Sequence, residues 1–429
     1  MKNHKRNAIS LFSSSGIGDL GLQANGIDTV ISCELLPQRS KLFQSNYPST
    51  KAFCGDIWQL KEDIITYYKE NYKDEPFLIL ATPPCQGMSS NGMGMMLRNF
   101  KKGIRPKFDE RNRLIIPAVE VIKALQPQWV IFENVPNMVN TLILDESENL
   151  INIIDFIKRE LGDNYVGEPF VVDVADYGVP QHRKRLITIM TRNKKGIELF
   201  KSQGTLLPPP THGKKNDLFS TPWVTLRDAI FDLPPLRATL GENIDEANPL
   251  HKVPILDDTK LFWVTNTPEG ETALNNQCVN PKCGYKGNPT HGASHDTEGV
   301  NKSHTDTPVY CEKCGSLLPR PSIVDEETGK HRIMKAFVSA YKRMSWDVPA
   351  STLTQNFQYA CSDNKLHPTQ DRVLSLYEGL IIQSIAKYPF SFIVDGKLVS
   401  DGLIRDTIGE SVPPQLIDVI SKHLLEVSK

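Results

Sequence analysis

Three short segments carry side chains that could act together on one molecule. Cys85 stands in LILATPPCQGMSS, directly after an apolar run and on a turn restrained by Pro83 and Pro84. Glu133 and Asn134 end a second apolar run, in WVIFENVPNM. Arg183 and Arg185 occupy alternate positions in YGVPQHRKRLITIM, so on extended backbone their side chains project to one side. A thiolate and a proton-donating carboxyl are the minimum pair for adding sulfur to a ring carbon while a ring nitrogen takes a proton. Paired arginines could hold a carbonyl oxygen of the same ring. Each residue also has a plainer reading, Cys85 as a buried spacer and the arginines as a basic approach to a strand.

A fourth segment, LFSSSGIGDLGL, turns through Gly16, Gly18 and Gly21 into a helix. Such a turn lets a ligand approach the backbone at a helix N-terminus, though a plain strand-to-helix turn has the same composition. Glu34 comes just past the next apolar run, and Asp56 follows Phe53-Cys54-Gly55. An acid at the second strand end can accept hydrogen bonds from ribose hydroxyls, or can serve as a cap or turn residue.

These segments need a scaffold that brings strand ends together. From Ala8 to about Thr191 short apolar runs alternate with amphipathic stretches, the pattern of a parallel sheet flanked by helices. Strands are expected at Ala8–Phe12, Thr29–Cys33, Phe77–Ala81, Trp129–Glu133, Phe170–Asp173 and Leu186–Met190. Helices are expected at Ile115–Leu125, Ile151–Leu161, Val373–Tyr388 and Gln415–Val427, the last opening after Pro413 and Pro414. After Thr191 the rhythm fails, and Pro, Gly, Asn and Asp become frequent up to about Arg332. The expected organisation is a catalytic domain over 1–192, a loop-rich recognition domain over 193–337, and a segment 338–429 that completes the catalytic domain.

With 429 residues, 39% of them hydrophobic, the chain can bury one large core and a smaller second one. Its formal net charge of −1 conceals local basic stretches. Leu97–Leu114 holds seven Lys or Arg against two acids, and Tyr177–Arg237 eleven against four, which suits phosphate contacts or a solvated surface. No apolar run reaches the roughly 18 residues of a membrane helix. The basic start lacks the apolar core of a secretory signal, so a reducing cytoplasm and no membrane partner are expected.

Eight cysteines in this length do not read as a disulfide framework. Four form two close pairs, CVNPKCG with Cys278 and Cys283, and CEKCG with Cys311 and Cys314. The spacing fits two knuckles of a zinc ribbon within about 275–320, a closed structural site, with disulfides or free buried thiols as alternatives. His291, His295 and His304 lie between the pairs and could replace a cysteine, but surface-loop histidines are the expected reading.

The ordered set of segments resembles the cytosine-5 DNA methyltransferase family, of the bacterial restriction-modification type, over about Ala8–Met190 and Met344–Leu416. That resemblance implies an α/β fold: a Rossmann-like methyltransferase with a mixed, mostly parallel sheet, plus a smaller loop-rich target recognition domain. It implies S-adenosyl-L-methionine as cofactor, with Phe12 stacking on the adenine, Glu34 on the ribose and Asp56 on the adenine amino group. Gly16, Ile57 and Ser411 are added to the expected cofactor residues. It makes Cys85 the nucleophile that bonds to a flipped-out cytosine and Glu133 the acid. Arg183 and Arg185 support the pocket, Arg185 contacting the base. Asp109-Glu110-Arg111 is similar to the hinge of the family's catalytic loop. SWDVPASTLT and HPTQDRVLSLYEGLIIQS resemble the stretch that packs the recognition domain on the core, and IGESVPPQL the closing motif. Ser14 and Ile17 stand where the family has glycine, and Glu410 where it has Asn. The expected partner is double-stranded DNA, bound by a monomer, with a cognate restriction endonuclease acting on the same site. A tRNA methyltransferase and a catalytically silent DNA-binding relative are the competing readings.

Overall fold

A computed structural model describes residues 6–84, 109–214, 221–295 and 301–429. The chain forms two compact units, one made of Met1–Trp223, Ser384–Leu403 and Ser411–Lys429, the other of Val224–Gln383 and Ile404–Glu410. The divisions fall at 223/224 and 383/384 rather than at 192/193 and 337/338. Helix Lys194–Gln203 explains the first shift, since its Leu199 and Phe200 pack on the core of the first unit. Tyr341, Ala360 and Val373 explain the second, sharing a cluster with Trp263 and Val264.

In the first unit, strands run β1 Arg6–Leu11, β2 Ile27–Glu34, β3 Lys51–Cys54, β4 Leu78–Ala81, β5 Trp129–Asn134, β6 Leu142–Leu144, β7 Leu150–Asn152, β8 Val166–Asp173 and β9 Lys184–Thr191. β6 and β7 form a separate small hairpin, and the rest make one seven-stranded sheet in the order β3-β2-β1-β4-β5-β9-β8. β1 to β5 are parallel, while β9 runs antiparallel to both β5 and β8. The chain winds outward from β1 to β3 and then returns to place β4 beside β1. The carboxyl ends of β1 and β4 therefore flank the switch point where open α/β sheets bind ligands.

The period of two builds both faces. Ile79 and Ala81 of β4, with Val130 and Phe132 of β5, meet helices Ile57–Asn71, Ile115–Leu125 and Ile153–Leu161. Leu78, Leu80, Trp129 and Ile131 meet helices Asp19–Ala24, Lys194–Gln203 and Pro414–Val427. Every residue of β4 and β5 is buried, as strands covered on both faces must be. Gly21 is required by this packing. A Cβ there would lie 2.4 Å from the Pro414 carbonyl oxygen and 2.5 Å from the Asp418 nitrogen. Gly18 similarly admits Val412. Two glycines expected to serve a ligand thus serve packing against the closing segment 411–429.

Two helix expectations change. The stretch 373–388 is not one helix: Ser375 and Glu378 form a capping box that starts a short helix at Leu376–Ile382. Ser384 then takes a left-handed φ of 61° before a single 3-10 turn at Ile385–Lys387. A further helix, Asp401–Glu410, is capped by Ser400, and its few apolar positions leave no helical pattern in the sequence.

The second unit has short strands, and main-chain carbonyls held by buried arginines replace long ladders. Arg320 donates to the carbonyls of Asn276, Pro289 and Pro308. Arg343 donates to those of Thr267, His367, Gln370 and Val264. Arg372 makes a bidentate pair with Glu378, at 2.8 and 2.7 Å, with both side chains fully buried.

Candidate active site

At the end of β1 the turn is left-handed at alternate residues, Phe12 (φ 60°), Ser14 (φ 49°) and Gly16 (φ 85°). Gly16 also has no room for a side chain, since a Cβ would sit 2.5 Å from the ring of Tyr47. The Tyr47 hydroxyl donates to the Gly16 carbonyl at 2.7 Å. Glu34, the last residue of β2, receives the Ser14 N–H on Oε2 and the Leu36 N–H on Oε1, both at 2.9 Å. Each oxygen retains a lone pair for a further donor. The Ser14 hydroxyl is buried with no hydrogen-bond partner among the described residues, a polar atom that a ligand in the turn would satisfy. Asp56 caps helix Ile57–Asn71 by accepting from the Trp58 N–H at 3.0 Å. The Ile57 side chain is buried in the core cluster. Phe12 is half-buried, and its carbonyl accepts from the Thr82 hydroxyl at 3.0 Å, which joins the end of β4 to the turn.

The second group lies at the ends of β4, β5 and β9. Cys85 itself lies outside the described residues, as do 86–108. The turn leading to it is described: Asn134 at the end of β5 donates from Nδ2 to the Pro83 carbonyl at 2.9 Å and accepts the Val135 N–H on Oδ1 at 2.8 Å. Glu133 is 7% exposed, and Arg185 Nε stands 3.0 Å from its Oε1. Burial is the strongest influence on this carboxyl and raises its pKa above the ordinary value, outweighing the opposing pull of Arg185 and then Arg183. A buried acid of this kind holds its proton more readily than a surface one. Arg183, 1% exposed, donates from Nη2 to the Ser411 carbonyl at 3.1 Å, so Ser411 enters through its backbone. Asp109 caps the 3-10 turn Glu110–Leu114 and pairs with Arg111, which closes the chain on the far side of the undescribed segment.

Glu133, Asn134, Arg183, Arg185 and Ser411 are thus brought together, and Phe12, Gly16, Glu34 and Asp56 gather at neighbouring strand ends. The sequence reading missed Asn134 as a link to the proline turn and Asp173 as a partner of the arginine segment. An Asn directly after an acid at a strand end was the available signal for the first. Asp173 had none, because its partners are set by the antiparallel pairing of β8 with β9.

In the second unit the sulfurs of Cys278, Cys283, Cys311 and Cys314 all lie within 4.8 Å of one another. Cys278 and Cys314 are 3.7 Å apart, Cys283 and Cys311 3.9 Å. Four sulfurs at about 2.3 Å from a tetrahedral centre would be about 3.8 Å apart, whereas a disulfide needs about 2.05 Å. Each pair is followed by a left-handed glycine, Gly284 (φ 54°) and Gly315 (φ 71°), whose N–H groups turn back to Asn280 and Cys311. Among the described residues the cluster holds no histidine. His291 is not a surface-loop residue: it is buried, with Nδ1 2.9 Å from the Thr307 hydroxyl. His304 is exposed as expected.

The sheet order, its antiparallel β9 and the polar residues at its carboxyl edge define a Rossmann-like methyltransferase fold. A family described as C-5 cytosine-specific DNA methylase matches residues 6–426, and the chain belongs to that family. It is 28% identical over 423 residues to the type II methyltransferase M1.HgaI of Avibacterium volantium, with 97% of each chain covered. It is 24% identical over 420 residues to type II methyltransferase M1.HphI of Haemophilus parahaemolyticus, covering 98% of this chain and 87% of that one. A solved E. coli structure of a prophage-encoded DNA modification methyltransferase shares the fold with a TM-score of 0.54 at 20% identity, covering 98% and 99% of the two chains. The protein is a DNA cytosine-5 methyltransferase by family, and no helix among the described residues is long and apolar enough to cross a membrane.

Proposed function

We propose that this enzyme methylates carbon-5 of a cytosine turned out of duplex DNA, through a covalent bond from Cys85 to carbon-6. The observation that carries the reading is the strand end of β5. Glu133 there is an acid inclined by burial to keep its proton, and Asn134 is bonded to the turn that leads to Cys85. Carbon-5 of cytosine is too weak a nucleophile to take a methyl group unaided. Addition of the Cys85 thiolate at carbon-6, with Glu133 donating a proton to ring nitrogen 3, turns the ring into an enamine. After transfer, the carbon-5 proton leaves to a base, the pair of electrons it releases expels the sulfur as thiolate, and ring nitrogen 3 returns its proton to Glu133. Arg185 pairs with Glu133 and is assigned to the base carbonyl oxygen, while Arg183 ties the closing segment to the pocket through Ser411. A base within the stack is unreachable, so the cytosine must swing out.

S-adenosyl-L-methionine, when bound, supplies the electrophilic methyl group. Phe12, Gly16, Glu34, Asp56, Ile57 and Ser411 are the residues assigned to hold it, with Glu34 accepting from the ribose hydroxyls. The buried Ser14 hydroxyl fits a ligand in that turn. The second unit, Val224–Gln383 with Ile404–Glu410, is assigned to sequence reading, with one structural Zn2+ on the four cysteines. The second unit carries more acids than bases, so phosphate contacts fall to the basic stretches Leu97–Leu114 and Tyr177–Arg237. A monomer acting on the site of a cognate endonuclease completes the reading.

Bisulfite sequencing of DNA from cells expressing the chain should show one methylated cytosine context, absent with Cys85→Ala. Duplex DNA containing 5-fluorocytosine should trap a covalent adduct with the unaltered chain alone. Methyl incorporation into tRNA but not duplex DNA would overturn the assignment of substrate.

A further inference from the structure

Asp173 ends β8 and grips two consecutive residues of the arginine segment. Its Oδ1 accepts the Arg183 N–H at 2.9 Å, and its Oδ2 accepts from Nδ1 of His182 at 3.0 Å. The Ala175 N–H, at 3.3 Å on Oδ1, starts the turn Val174–Tyr177 between the two strands, and the Val174 N–H meets the Arg183 carbonyl at 3.1 Å. His182 is held from its other side by Trp223, whose ring stands edge-on with centroids 4.8 Å apart at 88°. Trp223 is fixed in turn, its Nε1 donating to Asp176 Oδ1 at 2.8 Å and its backbone N–H to the Gly213 carbonyl at 2.8 Å. One carboxylate, one imidazole and one indole therefore surround the backbone from which Arg183 and Arg185 depart.

We propose that Asp173 and His182, backed by Trp223, are positioning residues for methyl transfer, setting the register at which Arg183 and Arg185 reach Ser411 and Glu133. The inference rests on the reading of those arginines as parts of the pocket. Arg185 sits two residues along from Arg183, and an error in the backbone at 183 is carried straight into the 3.0 Å approach of Arg185 to Glu133. His182 is partly exposed, with 39% of its side chain accessible, so core packing does not account for its place. A hydrogen bond to a carboxylate is stronger than one between neutral groups, enough to hold or release a short strand approach.

The test is single-turnover methyl transfer from saturating S-adenosylmethionine to duplex DNA, with S-adenosylhomocysteine affinity and melting temperature measured alongside. His182→Ala is expected to slow the transfer step about tenfold while cofactor affinity changes less than the rate, because the cluster meets the residues assigned to the cofactor through the Arg183–Ser411 bond, one step removed from His182. His182→Asn, which returns an amide N–H near the position of Nδ1, is expected to recover most of the rate. Equal rates for His182→Ala and the unaltered enzyme, or an Asn variant as slow as the Ala variant, would overturn the proposal. If His182→Ala does not fold, Trp223→Phe keeps the ring edge and removes the Nε1 donor. A rate slowed about threefold supports the proposal, and an unchanged one overturns it. An unaltered enzyme that transfers no methyl group to duplex DNA would instead remove the reading of function, before any variant is compared.

Discussion

Asn134 reaches from the end of β5 to the carbonyl oxygen of Pro83, 2.9 Å away and two residues before Cys85 in the chain. The two strand ends that carry the thiol and the acid are therefore joined by a buried side-chain hydrogen bond.

If that bond sets the turn, Asn134→Ala should slow methyl transfer by about tenfold or more, because a buried carbonyl loses its donor and the turn relaxes. Cofactor affinity should change little. Rapid-quench kinetics alongside calorimetric titration separate the two, and an unchanged transfer rate would remove Asn134 from the machinery.

Glu133→Gln removes the proton donor while keeping shape, and should lower the transfer rate by about 10²–10⁴-fold. The pH dependence has a definite sign. Burial raises this carboxyl, so the protonated form persists above the ordinary carboxylate range, and activity that needs it declines as pH rises through the raised value. Arg185→Ala takes away an opposing positive charge and should move that decline to higher pH. A profile that moves downward would contradict the arrangement.

The purified protein should carry about one zinc ion per chain, since the sulfur spacing matches a tetrahedral centre. Cys278→Ser should lower the metal content and the melting temperature, because structural zinc sites contribute directly to folding. Atomic emission and thiol titration with and without a chelator check this, and all eight thiols reacting in the untreated protein as fast as after chelation would refute it.

Asp19 is fully buried beneath the glycine turn, accepting from the hydroxyls of Thr29 and Ser10 at 2.8 and 3.0 Å. Burial, the largest influence, pushes its carboxyl from 3.8 up to about 6 despite these bonds. A folded value above the unfolded one means that the contribution to stability is complete below about pH 4 and is lost as pH rises through about 6. About two units correspond to roughly 3 kcal/mol. Asp19→Asn should therefore unfold at a higher urea concentration relative to the native chain at pH 8 than at pH 5. No difference between the two pH values would show that Asp19 does not carry this charge.

The amino-acid order by itself determined the alternation of strands and helices and the family, and it singled out the groups proposed to react. Short continuous apolar runs such as LILA and WVIF read as strands covered on both faces, and such a strand can offer reacting groups to a ligand only at its end. The two cysteine knuckles were legible for the same reason, that ligand spacing within a knuckle is local. Tertiary structure alone decided which backbone groups meet. Gly21 is small because Pro414, nearly four hundred residues later, lies against it. Arg183 reaches Ser411, and Asp173 reaches His182, because β9 pairs antiparallel with β8 and the closing segment returns to the first unit. Helix breaks such as Ser384, and the burial that raises the Glu133 carboxyl, depend on neighbours far apart in the chain. No local pattern of residue types encodes them.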